Sequence, residues 1–328
     1  MPDTPPIRSI LFIHYGDNWI RGSERCLLDT LNACNQAGIR TTLWCNSPLL
    51  QQEANKLGTC VYQSPMAVIF GYDNTRWSIA SWWQQYRFTR TLLKLHHPDV
   101  VHINSGAPAQ WANLACKQMG IAAITQIHAH YGVLKDRVTL GLHQCNRIVG
   151  VSHAAIRAFK DDGMPANQLQ IIPNGIDAAR LQQQAPAPIK ATLGLNANDT
   201  LLLSVGSLID RKGHHLLFEA IAQLKQKNTA VCAALLGDGP EREALKTLAR
   251  KLDIEQHIFF MGECSNAFGI MQGDADALVS TAKDEVFGLV LAEGNLARLP
   301  VIAPNIVGIN SVVCLLYTSP SPRDDISS

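Results

Sequence analysis

Short aliphatic runs alternate with amphipathic stretches through most of this chain. The first runs are RSILFIH (Arg8 to His14), Ile39 to Cys45, Asp99 to Ile103, Ala122 to Ile127, Arg147 to Val151 and Leu169 to Ile172. They carry little polar alternation, so they read as strands buried on both faces. The stretches between them show helical spacing, as in Leu27, Leu28, Leu31 and Cys34 of a helix from Ser23 to Ala37. Further helices are expected over Leu49 to Leu57, Trp77 to His96, Pro108 to Met119, Val133 to Cys145 and His153 to Asp161. A strand that returns parallel to its neighbour needs a crossover of about a dozen residues or more, usually a helix. This rhythm therefore predicts an α/β fold with parallel, Rossmann-like sheets.

The rhythm breaks once. Asn174-Gly175, Gln182-Gln183-Gln184 and Ala185-Pro186-Ala187-Pro188 supply turn and linker chemistry. A second series follows, with strands at Leu201 to Val205, Val231 to Leu236, His257 to Met261, Ala277 to Ser280 and Pro300 to Ala303. Its helices are His214 to Gln226 and Glu241 to Leu252. Two Rossmann-like domains facing each other across a cleft are expected, residues 1–180 and residues 181–313. Ligands of such folds bind at the carboxyl ends of the strands.

Residues Lys283 to Pro300 (KDEVFGLVLAEGNLARLP) carry the densest chemistry. Glu285 is expected just before, and Glu293 two turns into, an apolar helix whose N-terminus is expected near Phe287 and Gly288. Unsatisfied N–H groups there make an anion site. Carboxylates beside an anion site suit a ligand with both hydroxyls and phosphate, such as a sugar nucleotide.

Composition narrows the partners. The net charge of +1 gives no reason to expect nucleic acid. The nine cysteines form no CxxC pair and read as buried free thiols of a reducing compartment. The N-terminal residues lack a signal-peptide pattern, and no apolar run is long enough to span a membrane. A cytoplasmic location is expected. From Cys314 the chain reads CLLYTSPSPRDDISS, which looks like a translated sequencing adapter. The native sequence is expected to stop at about residue 313, short of the helices that would finish the second domain, with residues 314–328 as a scar.

The order of several short motifs resembles a known family. They are Gly22-Ser23-Glu24-Arg25 after the first strand, Pro98-Asp99-Val100-Val101-His102, Val151-Ser152, and Ile172-Pro173-Asn174-Gly175-Ile176-Asp177. Val205-Gly206-Ser207-Leu208 with Lys212-Gly213, Gly237-Asp238-Gly239-Pro240-Glu241 and the two glutamates follow. Together they resemble the retaining glycosyltransferases of family 4, which have the two-domain GT-B fold. The resemblance implies transfer of a sugar from a nucleoside diphosphate to an acceptor hydroxyl, with residues 1–180 on the acceptor side and residues 181–313 binding the nucleotide sugar. His128, Lys212 and Glu285 would be catalytic. Lys212 would contact the diphosphate, Glu285 the donor sugar, and Glu293 the ribose hydroxyls. The N–H groups of Phe287, Gly288 and Leu289 would cap sugar and diphosphate, and Gly22 would bring backbone to the diphosphate. His128 would sit at the sugar-binding edge. Two positions depart from the family pattern. Ser207 stands where the family usually has an arginine, with Arg211 as a nearby cation, and Arg21 replaces the glycine before Gly22.

No cofactor is implied, since the nucleotide sugar is a substrate. The acceptor implied is a glycan or lipid-linked molecule in surface-glycan synthesis, with peripheral membrane contact allowed. Asp274-Ala275-Asp276 mimics a metal motif but leads straight into a strand, so no metal is expected. Trp82, Trp83, Tyr86 and Phe88 with Arg76, Trp77, Arg87 and Arg90 read first as core packing, and second as an acceptor or membrane face. His14 and His102 end strands and read as structural. Two alternatives stay open: a GT-B protein that binds nucleotide without transfer, and a sugar-nucleotide epimerase of the same fold.

Overall fold

The computed structural model describes residues 6–69 and 79–313. Arg76, Trp77 and the stretch read as an adapter lie outside them. The chain divides between Gly175 and Ile176 into two compact units. The boundary expected at residue 180 falls inside a short helix, Ala178–Gln182.

The first unit runs β1 (Ser9–His14), α1 (Gly22–Gln36), β2 (Arg40–Cys45), α2 (Pro48–Lys56), β3 (Cys60–Gln63), α3 (Ile79–His96) and β4 (Val100–Asn104). It continues α4 (Ala109–Met119), β5 (Ala122–Ile127), α5 (Leu134–Thr139), β6 (Ile148–Gly150), α6 (His153–Asp161) and β7 (Leu169–Ile171). All pairings are parallel, in the order β3-β2-β1-β4-β5-β6-β7. The order reverses between β1 and β4, so His14 and Asn104 end strands at the switch point. Leu11, Phe12 and Ile13 are fully buried, as a strand covered on both faces requires. Two expectations are corrected here. The helix expected over Val133 to Cys145 is broken: α5 stops at Thr139, and Gly141 turns left-handed (φ 65°) before a 3₁₀ turn at Leu142–Gln144. Strand β3 was not expected.

The α3 aromatics divide between core and surface. Phe88 meets Trp44 edge-on at 4.9 Å, and Tyr86 is buried. Trp82 donates to the Gln110 carbonyl at 3.1 Å. Trp83 is 53% exposed and stacks on Tyr86 from outside.

The second unit runs α7 (Ala178–Gln182), β8 (Thr200–Val205), α8 (His214–Gln226), β9 (Val231–Leu236), α9 (Arg242–Lys251) and β10 (Ile258–Gly262). Then come α10 (Ala267–Met271), β11 (Ala277–Val279), α11 (Leu289–Leu296) and β12 (Val301–Ile302). The sheet is parallel, ordered β10-β9-β8-β11-β12, and its switch point lies between β8 and β11. Strand β9 shows why the run is wholly apolar. Cys232, Ala234 and Leu236 enter the core on one face, while Ala233 and Leu235 enter the core on the other. Asp274 and Asp276 are structural. Asp274 Oδ1 accepts the Ile189 N–H at 2.8 Å, and Asp276 Oδ2 accepts the Leu201 N–H at 2.7 Å and pairs with Lys190 at 2.9 Å.

Burial drives the Cys45 and Cys116 thiols up to about 12. The eight cysteines of the described residues are free. Among the described residues no helix is long and apolar enough to cross a membrane.

Candidate functional site

In the second unit the chemistry gathers at the switch point. The loop after β8 carries Ser207, Arg211 and Lys212, and the loop after β11 carries Glu285, Phe287 and Gly288. These loops are clasped side by side. Lys212 Nζ lies 2.5 Å from Glu285 Oε2, and Lys283 Nζ lies 2.6 Å from Asp210 Oδ1. The Lys283 N–H donates to the Arg211 carbonyl at 2.9 Å, and the Thr281 hydroxyl donates to the Lys212 carbonyl at 3.3 Å. Gly213 makes this approach feasible. Its φ of +64° suits glycine, and a Cβ there would meet the Thr281 carbonyl oxygen at 2.2 Å.

Glu285 is mostly buried. Burial alone would favour its neutral form, but the Lys212 charge and hydrogen bond, helped by Arg211, bring its carboxyl below the usual range. Its other oxygen accepts the Val286 N–H at 3.1 Å. Lys212 and Glu285 thus face each other as an ion pair. An ammonium has three donors, so the ion pair leaves further donors for a ligand.

The helix expected near Phe287 begins at Leu289, with Gly288 as its N-cap at φ +90°. The Phe287 side chain is buried and anchors the turn. In the first turn of α11 the Leu291 N–H donates to the Gly288 carbonyl at 3.0 Å; the N–H groups that begin a helix otherwise lack an intrahelical acceptor. Because α11 starts only at Leu289, Glu293 lies one turn into it and not two, and is half-buried. Ser207 offers its carbonyl to His214 Nε2 at 3.1 Å. A carbonyl only accepts, so Nε2 carries the proton and Nδ1 accepts from the Ser204 hydroxyl at 3.2 Å. Arg211 is exposed and reaches the Asp284 carbonyl at 3.4 Å.

In the first unit His128 follows β5, and its Nε2 lies 2.9 Å from Asn104 Oδ1. Desolvation, then the nearby His14 and His102 rings, bring its pKa to about 3, so it is a neutral imidazole at physiological pH. Gly22 opens α1 and is exposed. Beside it, Arg21 lies over the Trp19 ring at 3.3 Å, and its N–H donates to Glu24 Oε2 at 3.1 Å. Glu24 in turn contacts His14 at 3.1 Å, and His14 contacts Asn104. The Arg21 N–H and His128 are therefore joined through Glu24, His14 and Asn104. Sequence reading left Glu24 and Asn104 without a role and took His14 as structural. The signal was an acidic residue, Glu24, three positions after Arg21, the N-cap of α1.

Two family models match the chain: "Glycosyltransferase Family 4" over residues 20–180 and "Glycosyl transferases group 1" over residues 187–318. Among curated relatives, an N-acetyl-alpha-D-glucosaminyl L-malate synthase of Bacillus anthracis is 26% identical over 66% of this chain and 58% of its own length. A lipopolysaccharide core biosynthesis glycosyltransferase of Rhizobium meliloti is 24% identical over 91% of this chain and 79% of its own. The chain thus spans little more than half of the first of these relatives. Among solved structures, an Anabaena protein, HepE, in complex with UDP-glucose superposes with a TM-score of 0.76 at 20% identity. That match covers 93% of this chain and 82% of the other, and it speaks to fold. The two models cover the two parallel-sheet units in turn, and on that ground the chain belongs to the family 4 glycosyltransferases of GT-B fold.

Proposed function

We propose that this protein is a retaining glycosyltransferase that moves a sugar from a nucleoside-diphosphate sugar to an acceptor hydroxyl in surface-glycan or glycoconjugate synthesis. The observation that carries this reading is the Lys212–Glu285 pair at the β8/β11 switch point, beside the N-terminus of α11. Charge builds on the diphosphate as its bond to the anomeric carbon breaks. Lys212 and the first N–H groups of α11 are donors fixed before that charge appears, which is where catalytic stabilisation is largest. Glu285, ionised and tied to Lys212, binds sugar hydroxyls. Glu293 binds the ribose hydroxyls. Arg211, not Ser207, is the second cation near the phosphates. His128, a neutral imidazole, hydrogen-bonds the sugar.

Retention follows if the acceptor attacks from the face the diphosphate leaves. The anomeric carbon–phosphate oxygen bond breaks, the bond to the acceptor oxygen forms, and the acceptor proton passes to the departing phosphate. No side-chain nucleophile is needed. HepE was solved with UDP-glucose, which makes a uridine nucleotide the first donor to try. The acceptor is a glycan or lipid-linked molecule, met in the cytoplasm or at the inner face of its membrane, by analogy with the lipopolysaccharide relative.

The second reading is binding without transfer. It is favoured by Ser207, which brings no cation to the phosphates and whose carbonyl is committed to His214. A panel of nucleotide sugars, followed by thermal shift and by release of nucleoside diphosphate with and without acceptors, separates the two. Product with the donor's anomeric configuration supports retaining transfer. Inverted product overturns retention, and stabilisation with no turnover across the panel supports the second reading.

A further inference from the structure

At the switch point of the first sheet, four polar side chains form a series: Glu24, His14, Asn104 and His128. The first three are 4%, 1% and 1% exposed. Buried polar groups must find partners, so the protons of this series can be worked out from which atoms can only accept.

His14 faces acceptors on both sides. Its Nδ1 lies 2.7 Å from the Asn104 backbone oxygen, and its Nε2 lies 3.1 Å from Glu24 Oε1. A carbonyl cannot donate, and an ionised carboxylate cannot donate. At 2.7 Å a bare nitrogen would set its lone pair against that of the carbonyl. Both ring nitrogens therefore carry protons, and His14 is an imidazolium paired with Glu24. The Glu24 carboxyl is held below its usual range, with burial opposed by the His14 hydrogen bond and charge. The pair is roofed by backbone: a Cβ at Gly16 would stand 2.7 Å from His14 Nε2 and 2.9 Å from Glu24 Oε1.

The Asn104 amide then has one satisfactory orientation. Its Nδ2 is placed 3.0 Å from His14 Nδ1, and its Oδ1 2.9 Å from His128 Nε2. With His14 doubly protonated, Nδ2 and Nδ1 would be two donors facing each other. Half a turn of the amide, which leaves its heavy-atom outline unchanged, removes the conflict. Oδ1 now accepts from His14, and Nδ2 donates to His128 Nε2. That nitrogen must be bare, so the single proton of the neutral His128 ring is on Nδ1.

We infer that His14 and Glu24 form a buried ion pair that, through Asn104, locks His128 in the Nδ1-protonated tautomer, so that His128 meets the substrate as a hydrogen-bond donor. Glu24 and His14 are positioning residues in this scheme. The same carboxylate fixes the Arg21 N–H, so one group sets both the entrance to the Gly22 loop and the proton on His128. The assignment of a substrate to His128 rests on the function proposed above, whereas the protonation pattern does not.

Ring nitrogen shifts of the full chain, labelled with ¹⁵N-histidine, test the pattern directly in the unaltered protein. The expected spectrum has two protonated nitrogens for His14 and a neutral His128 with its proton on Nδ1. A bare nitrogen on His14, or a His128 proton on Nε2, overturns the inference. Glu24→Gln supplies the second arm: His14 is expected to become neutral and His128 to populate both tautomers. An unchanged His128 signature in a folded Glu24→Gln protein also overturns it. Turnover of His128→Ala tests the substrate role separately, because full turnover in that variant would remove the role and leave the spectra unaffected.

Discussion

Lys212 and Glu285 join the loop after β8 to the loop after β11 through a contact of 2.5 Å between side chains 21% and 16% exposed. Seventy-three positions separate them in the chain, and they meet because β8 and β11 are neighbours in the sheet. The pair does two things at once. It closes the turn in which both loops lie, and it holds an ammonium near the start of α11. Those two tasks respond differently to substitution.

Removing Lys212 alone leaves Glu285 with a largely buried carboxylate and only the exposed Arg211 to favour its charged form. Lys212→Met is expected to cost about 2–4 kcal/mol of stability, near the range for a broken buried pair. Glu285→Gln keeps a hydrogen-bond acceptor for Lys212 and is expected to cost about 1–2 kcal/mol. The double variant Lys212→Met/Glu285→Leu removes both charges and should regain most of the stability while turnover stays abolished. Urea melts and donor turnover on the three variants measure the two tasks separately. A double variant as unstable as the sum of the single ones would mean the two side chains are not energetically coupled.

Gly213 tests the close approach of the same loops. Gly213→Ala combines a left-handed backbone with a Cβ 2.2 Å from the Thr281 carbonyl oxygen. Gly194 is the control, because its φ is +74° and nothing lies within 4 Å of its Cβ position. Gly194→Ala is expected to cost only the left-handed penalty of about 1–2 kcal/mol. Gly213→Ala should cost more, and it should weaken donor binding, which Gly194→Ala should not. Equal melting temperatures for the two variants would show that the loops part without strain.

The distribution of surprises follows from what a sequence can express. Strands β5 and β9 and helices α6 and α8 have the bounds expected from periodicity, because each is a clear run of one pattern. Strand β3 was missed. It is four residues long at the sheet edge, with no fully buried position, so neither alternation nor a continuous apolar run marks it. Helix α10 is five residues with a glycine inside, too short to show a period. In the site, the motif residues were legible because their order along the chain is itself the signal. The Glu24–His14–Asn104 series was not. It depends on β1 lying beside β4, which is a property of strand order, and on a backbone carbonyl ninety positions from the histidine it faces.

Asp162 provides a test of the first unit that involves no substrate. It receives Arg137 through two hydrogen bonds of 2.6 and 2.7 Å and His143 through one of 2.7 Å. Arg137, itself only 4% exposed, also reaches the Tyr131 carbonyl, and the Tyr131 hydroxyl accepts from the Gly106 N–H at 3.0 Å. The Asp162–Arg137 contact thus braces the segment that follows His128. These hydrogen bonds, Arg137 first, hold the Asp162 carboxyl at about 2 against an ordinary 3.8. A depressed folded-state value means that the contribution to stability is complete above the unfolded-state value and is lost as pH falls through the folded one. Asp162→Asn should therefore melt below the unaltered protein by a constant margin from neutral pH down to about pH 5. The margin should shrink below about pH 4 and nearly vanish by about pH 2. Thermal melts of both proteins across that range measure it, and a margin undiminished near pH 2 would show that the stabilisation does not come from the ionised carboxylate.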